Sequence, residues 1–523
     1  MVDWVTIRRE RGHGWEVSVA YSKQKVRVGA IDIGTTGVRF VLFDQEANPI
    51  ASAYRELPLA TPKPGWVEQD PEILLAATQI VMNEVLSQRP DARGTLAGIG
   101  LTNQRETVVV WDRKTGRPLH PAIVWQDRRT APRCNELRRL GYQDLMHDKT
   151  GLSLDPYFSA TKIEWLLKHV PGVQERVADA NALFGTVDSW LLWKLTGEYL
   201  TDHTNASRTL LFNLATQDWD DEILALFDVP RSALPRVCPS LSMFGRIHSD
   251  LAAGDIPIAG VLGDQQASLL GQGGVAPGQA QVTWGTGAFL LVNTGSHRAY
   301  SQSGLLSTIA RTSPNAKPIY ALEGSVFVAG AAIQWLRDAV GLLDHAADSH
   351  EMSVNADSTD GVVFVPALTG LGSPHWDPDA RGLIIGITRG TRRDHLVRAA
   401  LEAIAYQTYD VVRAMECDSG NCLTELRVGG GAAQNDFLCQ FQSDILDIPV
   451  VRPRHMETTA QGAAFAAGIS TGLWDDAAAV SDLWQEDRRF EPSMHASDRD
   501  RLLGNWRRAV DRAKGWCADA EMA

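Results

Sequence analysis

The sequence predicts an α/β protein built as two halves of similar size, with the joint near Gly273. Three observations carry this. Strand and helix patterns alternate along the whole chain. A strand–Gly/Thr turn–strand unit occurs near the start and again just past the middle. The stretches around the joint, Gly271–Gly278 and His297–Ser303, are polar and rich in chain breakers. At 523 residues, each half has enough chain for its own core.

The first strand is expected over Val26–Ile33, then a tight turn at Gly34–Gly37 and a second strand over Val38–Asp44. Asp70-Pro71-Glu72 starts a helix: an Asp cap, Pro at the first helical position and an acid in the first turn. Ile73, Ala77, Ile80, Val81 and Val85 give that helix its apolar stripe. Further strands are expected at Leu96–Leu101 and Thr107–Trp111. Past the joint, Ala280–Trp284 and Ala288–Asn293 flank the turn Gly285-Thr286-Gly287. Helices are expected at Ala329–Leu342, Asp394–Met415, Asn435–Leu446 and Thr459–Ile469. The last is rich in Gly and Ala, which allows very close packing against a neighbour.

Composition excludes several classes. With 50 Lys plus Arg against 63 Asp plus Glu, the net charge is −13, which argues against a protein that grips a nucleic-acid backbone. Six cysteines without a C-x-x-C pair make neither a disulfide framework nor a good zinc site. No apolar run reaches the ~18 residues of a membrane span, and the first residues have no apolar signal core. The expectation is a cytoplasmic protein with no membrane insertion and no nucleic-acid partner.

Three glycine-rich turns could hold an anion. Asp32-Ile33-Gly34-Thr35-Thr36-Gly37-Val38-Arg39 joins two apolar strands, so its N–H and hydroxyl groups can face a phosphate while Asp32 could hold Mg²⁺ through water. Trp284-Gly285-Thr286-Gly287-Ala288-Phe289 offers a second such turn. Val428-Gly429-Gly430-Gly431-Ala432 comes just before the helix opening at Asn435. One such hairpin is an ordinary tight turn; three, spread over both halves, favour a two-domain clamp on a nucleotide. The chain has no G-x-x-x-x-G-K-[ST] and no H-R-D or D-F-G, which excludes P-loop and protein-kinase chemistry. A second constellation mixes polar and aromatic residues: Asn103–Glu106, Ile123–Asp127, Asp155–Phe158, Gly263–Gln266 and Phe289. Carboxylate and guanidinium groups suit the hydroxyls of a small polyol, and aromatic faces suit its carbon backbone. Asp264, between a strand and a helix, is the best carboxylate for metal or base chemistry.

These residues carry a recognisable pattern. Tyr157-x-Ser159-x-x-Lys162-Ile163-x-Trp165-Leu166 and, later, Gly382-x-Ile384-x-Gly386-Ile387 followed by His395-Leu396-x-x-Ala399-Ala400-Leu401-Glu402 resemble the two signatures of the FGGY carbohydrate kinases. The resemblance covers residues 27–515. Stretches such as Thr102–Thr107, Phe184–Trp190, Thr204–Arg208, Gly263–Gln266 and Gln440–Leu446 are more similar to the members that phosphorylate glycerol than to those acting on sugars.

The resemblance implies two actin-like, ribonuclease-H-type domains, each around a mixed five-stranded sheet, with a nucleotide and substrate cleft between them. It divides the chain into an extension at 1–25, expected to be disordered, a first domain at 26–273 for the polyol and phosphate hairpin, and a second at 274–515 for the nucleotide. It implies ATP- and Mg²⁺-dependent transfer to glycerol, yielding sn-glycerol 3-phosphate for glycerol catabolism. By similarity, glycerol falls on Arg105, Glu106, Trp125, Tyr157, Asp264, Gln265 and Phe289. The nucleotide falls on Thr35, Thr36, Arg39, Thr286, Gly330, Gln334, Gly431 and Asn435. Asp32 and Asp264 flank the metal, Asp264 is the general base, and Arg105 assists it.

The chain departs from the pattern in places. Ile33 and Gly37-Val38 replace a Gln and a Ser-Ser pair, and Gly429 stands where the family often has Asp. Asp255 stands where relatives inhibited by fructose 1,6-bisphosphate carry Arg, so such inhibition is not expected. His248 lies near a loop phosphorylated on His in some relatives; a lone His is more often a surface residue. Two other readings stay open: a kinase of the same family acting on a pentulose or similar sugar, or a catalytically silent, nucleotide-gated binding protein. The acidic surface is compatible with a homodimer or homotetramer.

Overall fold

A computed structural model describes residues 6–8, 16–18 and 26–517. Most of the 1–25 extension lies outside these residues; within it the backbone of Thr6–Arg8 pairs antiparallel with Glu16–Ser18.

The first sheet is assembled from β1 (Arg27–Ile33), β2 (Gly37–Phe43), β3 (Pro49–Glu56), β4 (Leu96–Asn103) and β5 (Ile258–Gly263). Its order is β5-β4-β1-β2-β3. The β1–β2 and β2–β3 pairs are antiparallel; β1–β4 and β4–β5 are parallel. Helix α1 (Pro71–Gln88) starts where the Asp-Pro-Glu signal places it, with the Asp70 side chain accepting from Glu72 N–H. Its buried face is offset from the expected stripe. Ala77, Val81 and Val85 are buried, but Ile73 and Ile80 are 44% and 49% exposed, and Leu74, Leu75, Met82 and Leu86 point inward instead. Both windows hold apolar residues at helical spacing, and the crossing over β2 and β3 selects between them. Helix α2 (Asp264–Gly271) follows β5 directly.

The second sheet contains β6 (Ala280–Trp284), β7 (Ala288–Gly295), β8 (Leu306–Arg311), β9 (Ile319–Val326), β10 (Leu426–Gly429), β11 (Val450–Pro453) and β12 (Glu486–Phe490). The order is β8-β9-β7-β6-β10-β11-β12. The expected two-domain α/β architecture is present, but this sheet has seven strands where five were expected. Its middle five repeat the order and directions of the first sheet: β6–β7 and β7–β9 antiparallel, β6–β10 and β10–β11 parallel. The additions are edge strands. β8 adds to β9 and β12 adds to β11, both antiparallel. Four of the five β12 residues are exposed, so no apolar alternation announces it.

Helices α3 (Gly330–Asp338), α4 (Arg393–Ser419), α5 (Asp436–Leu446) and α6 (Thr458–Ser470) lie close to their expected ranges. The small residues of α6 have the expected consequence. A Cβ on Gly462 would fall 1.8 Å from the Ala267 carbonyl oxygen on α2, a contact that only glycine permits. Ala463, Ala464 and Ala466 of α6 share a core with Val28, Ala30 and Ala259 of the first sheet, so a helix late in sequence is seated on the early domain. No helix among the described residues is long and apolar enough to cross a membrane.

Candidate active site

The site is assembled where β4 and β5 end. After β4 the chain turns tightly: Glu106 sits at φ +29°, and Thr107 N–H bonds to the Arg105 carbonyl. That turn lets two sequence neighbours, Arg105 and Glu106, serve one cavity. At the end of β5, Asp264 opens α2, and its Oδ1 accepts from Gln265 N–H at 2.8 Å.

Arg105 and Glu106 join a buried ionic cluster, with both side chains 2% exposed. Arg105 Nε is 3.1 Å from Asp264 Oδ1, and its two Nη atoms donate to Glu323 at 2.5 and 2.9 Å. Arg208 Nε donates to Glu106 Oε1 at 2.8 Å, and its Nη2 to Glu323 Oε1 at 3.0 Å. Burial alone would raise the Glu323 carboxyl; the two guanidiniums outweigh it and hold it below the usual carboxylate range. Asp264 goes the other way. Burial pushes its carboxyl up to about 6 despite Arg105, with Glu106 adding to the rise. Burial also pushes Asp32 up to about 7, opposed by Arg39 and reinforced by Asp264.

The aromatic residues form one wall. Trp125 meets Tyr157 and Phe289 edge-on, with ring centroids 5.5 and 5.9 Å apart. A closed circuit of hydrogen bonds ties that wall to the first hairpin. Trp125 Nε1 donates to Thr35 Oγ1 at 2.8 Å, and Gln69 Nε2 to the Thr35 carbonyl at 2.6 Å. Gln104 Nε2 donates to Gln69 Oε1, Thr107 Oγ1 to Gln104 Oε1, and Trp125 N–H to Thr107 Oγ1. Lys162, fully buried, donates to the Tyr157 carbonyl at 2.8 Å and reaches that of Trp125 at 3.4 Å.

The aromatic wall, Arg105, Glu106 and Asp264 face one cleft of about 410 Å³. It is lined by Thr35, Thr36, Arg105, Glu106, Trp125, Tyr157, Asp264, Gln265, Thr286, Phe289 and Gln334 together with the Gly285 and Gly287 turn. Every residue assigned to glycerol and four of the eight assigned to the nucleotide therefore share it. Gln265 Oε1 is buried there without a hydrogen-bond partner, an acceptor ready for a ligand hydroxyl. The other four nucleotide candidates stand outside the lining. Arg39 is ion-paired with Glu457 and lies over the Tyr54 ring. Gly330 N–H bonds to the Gly285 carbonyl at 2.9 Å, fastening the second hairpin to the start of α3. Asn435 caps α5 by accepting from Leu438 N–H at 3.1 Å, and Gly431 lies in the turn before it, open on the side where a Cβ would point.

Among the described residues no three His, Cys, Asp or Glu side chains gather as a metal cage. Asp264 lies close enough to Asp32 to add to the rise of its carboxyl, and the two would offer a pair of carboxylates. That set fits Mg²⁺, which takes one or two carboxylates and completes its shell with water and substrate phosphates.

One departure from the family pattern has a structural counterpart. A Cβ on Gly37 would lie 2.2 Å from Tyr54 Oη, so the Tyr54 ring fills the space a larger residue would use. Sequence reasoning missed Tyr54, Arg208 and Glu323 as contributors. Arg208 closes the Thr204–Arg208 stretch that the resemblance singled out, and Glu323 is an acid within Leu322-Glu323-Gly324 of a strand buried along nearly all its length, where a charge requires a partner.

The chain matches the family model described as the FGGY family of carbohydrate kinases, N-terminal domain, over residues 27–271, and the C-terminal domain model over residues 280–471. The chain belongs to the FGGY family of carbohydrate kinases. Among curated relatives of this FGGY chain, glycerol kinase 2 of Thermotoga maritima is 51% identical over 489 residues, covering 93% of this chain and 98% of the relative. The glycerol kinase of Symbiobacterium thermophilum is 50% identical over 492 residues, covering 94% and 99%. Among solved structures, Plasmodium falciparum glycerol kinase with ADP superimposes with a TM-score of 0.87 at 37% identity, covering 94% of this chain and 98% of that one.

Proposed function

We propose that this FGGY kinase transfers the γ-phosphoryl group of ATP to glycerol, giving ADP and sn-glycerol 3-phosphate. The observation that carries the reading is the shared cleft: polyol-sized polar and aromatic residues open directly onto two Gly/Thr hairpins suited to phosphates. The glycerol kinase names and roughly half-identical sequences of the relatives support it. The ADP in the Plasmodium neighbour supports an adenine nucleotide as donor.

Arg105 and Glu106 grip the acceptor hydroxyls, and Gln265 Oε1 accepts from one of them. Asp264 takes the proton of the attacking hydroxyl as its oxygen bonds to the γ-phosphorus and the bond to the β-bridging oxygen breaks. The N–H and hydroxyl groups at Thr35, Thr36 and Thr286 stabilise charge on the transferring phosphoryl group. The protein has mainly to position and neutralise, because the transition state is loose. Asp32 and Asp264 would hold Mg²⁺, which would supply charge neutralisation at the phosphate oxygens. Trp125, Tyr157 and Phe289 narrow the pocket toward a three-carbon acceptor and exclude water. A cytoplasmic location, where ATP is available, follows from the same reading.

The test is ADP release with Mg·ATP across glycerol, dihydroxyacetone, glyceraldehyde, xylulose and gluconate, with a no-acceptor control. The expected result is the highest kcat/KM for glycerol. Preference for a sugar would keep the family chemistry and overturn the substrate. ATP binding with no acceptor-dependent ADP would overturn the enzyme reading.

A further inference from the structure

We infer that Glu323 is a positioning residue for this transfer: from the second domain it clamps Arg105 and Arg208, the two first-domain guanidiniums that hold the acceptor end of the cleft. The inference rests on the reading of the cleft just given.

Glu323 stands on β9, opposite Leu291 of β7 and Leu306 of β8, and its side chain is fully buried. It does not line the cleft. Its carboxylate receives Arg105 through both Nη atoms, a two-pronged geometry that fixes the plane of the guanidinium, and Oε1 receives Arg208 as well. Each arginine is left with its Nε edge toward a cleft carboxylate: Arg105 toward Asp264, Arg208 toward Glu106. The guanidinium carbon of Arg208 also lies over the Tyr157 and Phe158 rings, 5.8 and 5.5 Å from their centroids.

The consequence follows from charge. Two guanidiniums this close and this dry repel unless a carboxylate lies between them. Without Glu323 their inward edges would turn to the remaining carboxylates, Glu106 and Asp264, which are the two groups assigned to the acceptor. Glu323 therefore occupies the inward edges and leaves Glu106 and Asp264 free to face the acceptor. Because it reaches across from the other domain, it also joins the two domains behind Arg105 and Arg208.

The experiment compares wild type with Glu323→Gln, which keeps the shape and removes the charge. Each protein is assayed with whichever acceptor the wild type turns over best, so a failure of the glycerol assignment and a failure of the clamp are read separately. ADP affinity is measured by calorimetry as the control on the nucleotide half. The expected result is a loss of about 10²-fold or more in kcat/KM for the acceptor, with kcat falling as well as KM rising. ADP affinity should stay within about threefold, as expected for sites that do not share partners. Glu323→Asp, which keeps the charge on a shorter stem, should recover about tenfold. If Glu323→Gln does not fold, Arg208→Lys opens the same clamp from the other side and should show the same split. Acceptor kinetics within about threefold of wild type in a folded variant, or a parallel loss of ADP affinity, would overturn the inference.

Discussion

Trp125 Nε1 donates to Thr35 Oγ1 across 2.8 Å, so the aromatic wall of the acceptor pocket and the first phosphate hairpin are one hydrogen-bonded unit. Trp125→Phe keeps an apolar ring and removes the donor. It should raise KM for both glycerol and ATP by roughly 2–10-fold, the effect of losing one hydrogen bond. Two-substrate steady-state kinetics decide the matter: a rise for glycerol alone would mean that the bond does not couple the two sites.

Asp264 has the pKa of a working base. Burial holds its carboxyl near 6, so it is ionised at pH 7.5 and accepts a proton; acidification removes the base form. kcat/KM for glycerol should therefore fall as pH drops through about 6. Asp264→Asn should bind ADP normally, lose about 10²–10⁴-fold in kcat and show no acid limb at that pH. Near-normal turnover of this variant would remove Asp264 from the base role.

Lys162 carries a buried charge whose pKa burial lowers from 10.5 to about 8, partly opposed by Asp127 and Glu106. The folded state thus binds fewer protons than the unfolded chain between about pH 8 and 10.5, and this group's contribution to stability rises with pH over that window. Lys162→Met abolishes the term, so its Tm relative to wild type should become more negative from pH 7.5 to pH 10. A constant Tm difference would show that Lys162 keeps its ordinary affinity for protons. The same variant frees the Tyr157 and Trp125 carbonyls, so KM for glycerol should rise.

Gly37 and Tyr54 share one space. Gly37→Ser places a Cβ against the far end of the Tyr54 side chain, and because Tyr54 is 41% exposed its ring should swing into solvent, so the loss of stability should stay under about 1 kcal/mol. Thermal melts of the variant test this, and a loss of about 3 kcal/mol or more would show that the ring is held in place.

Much of the fold was legible because its signals are local. The Asp70 cap and the apolar runs around Gly34–Gly37 and Gly285–Gly287 act within a few residues, and the structure has those elements within a few positions of where they are read. The same locality placed Asp264 at a strand–helix junction. Much of the candidate site was legible for another reason: the family signatures carry residues such as Tyr157 and Lys162 as text.

Chain order alone could not supply distance. Arg105 and Glu323 are 218 residues apart, and nothing near either one names the other. Which face of α1 turns inward, what fills the space beside Gly37 and where β8 and β12 attach are likewise questions of packing between remote segments. The sequence by itself determined the elements, the two-domain plan and the kinds of chemical group available. Only the tertiary structure decided which charges meet, because buried ion pairs and close packing are set by partners that the fold brings together.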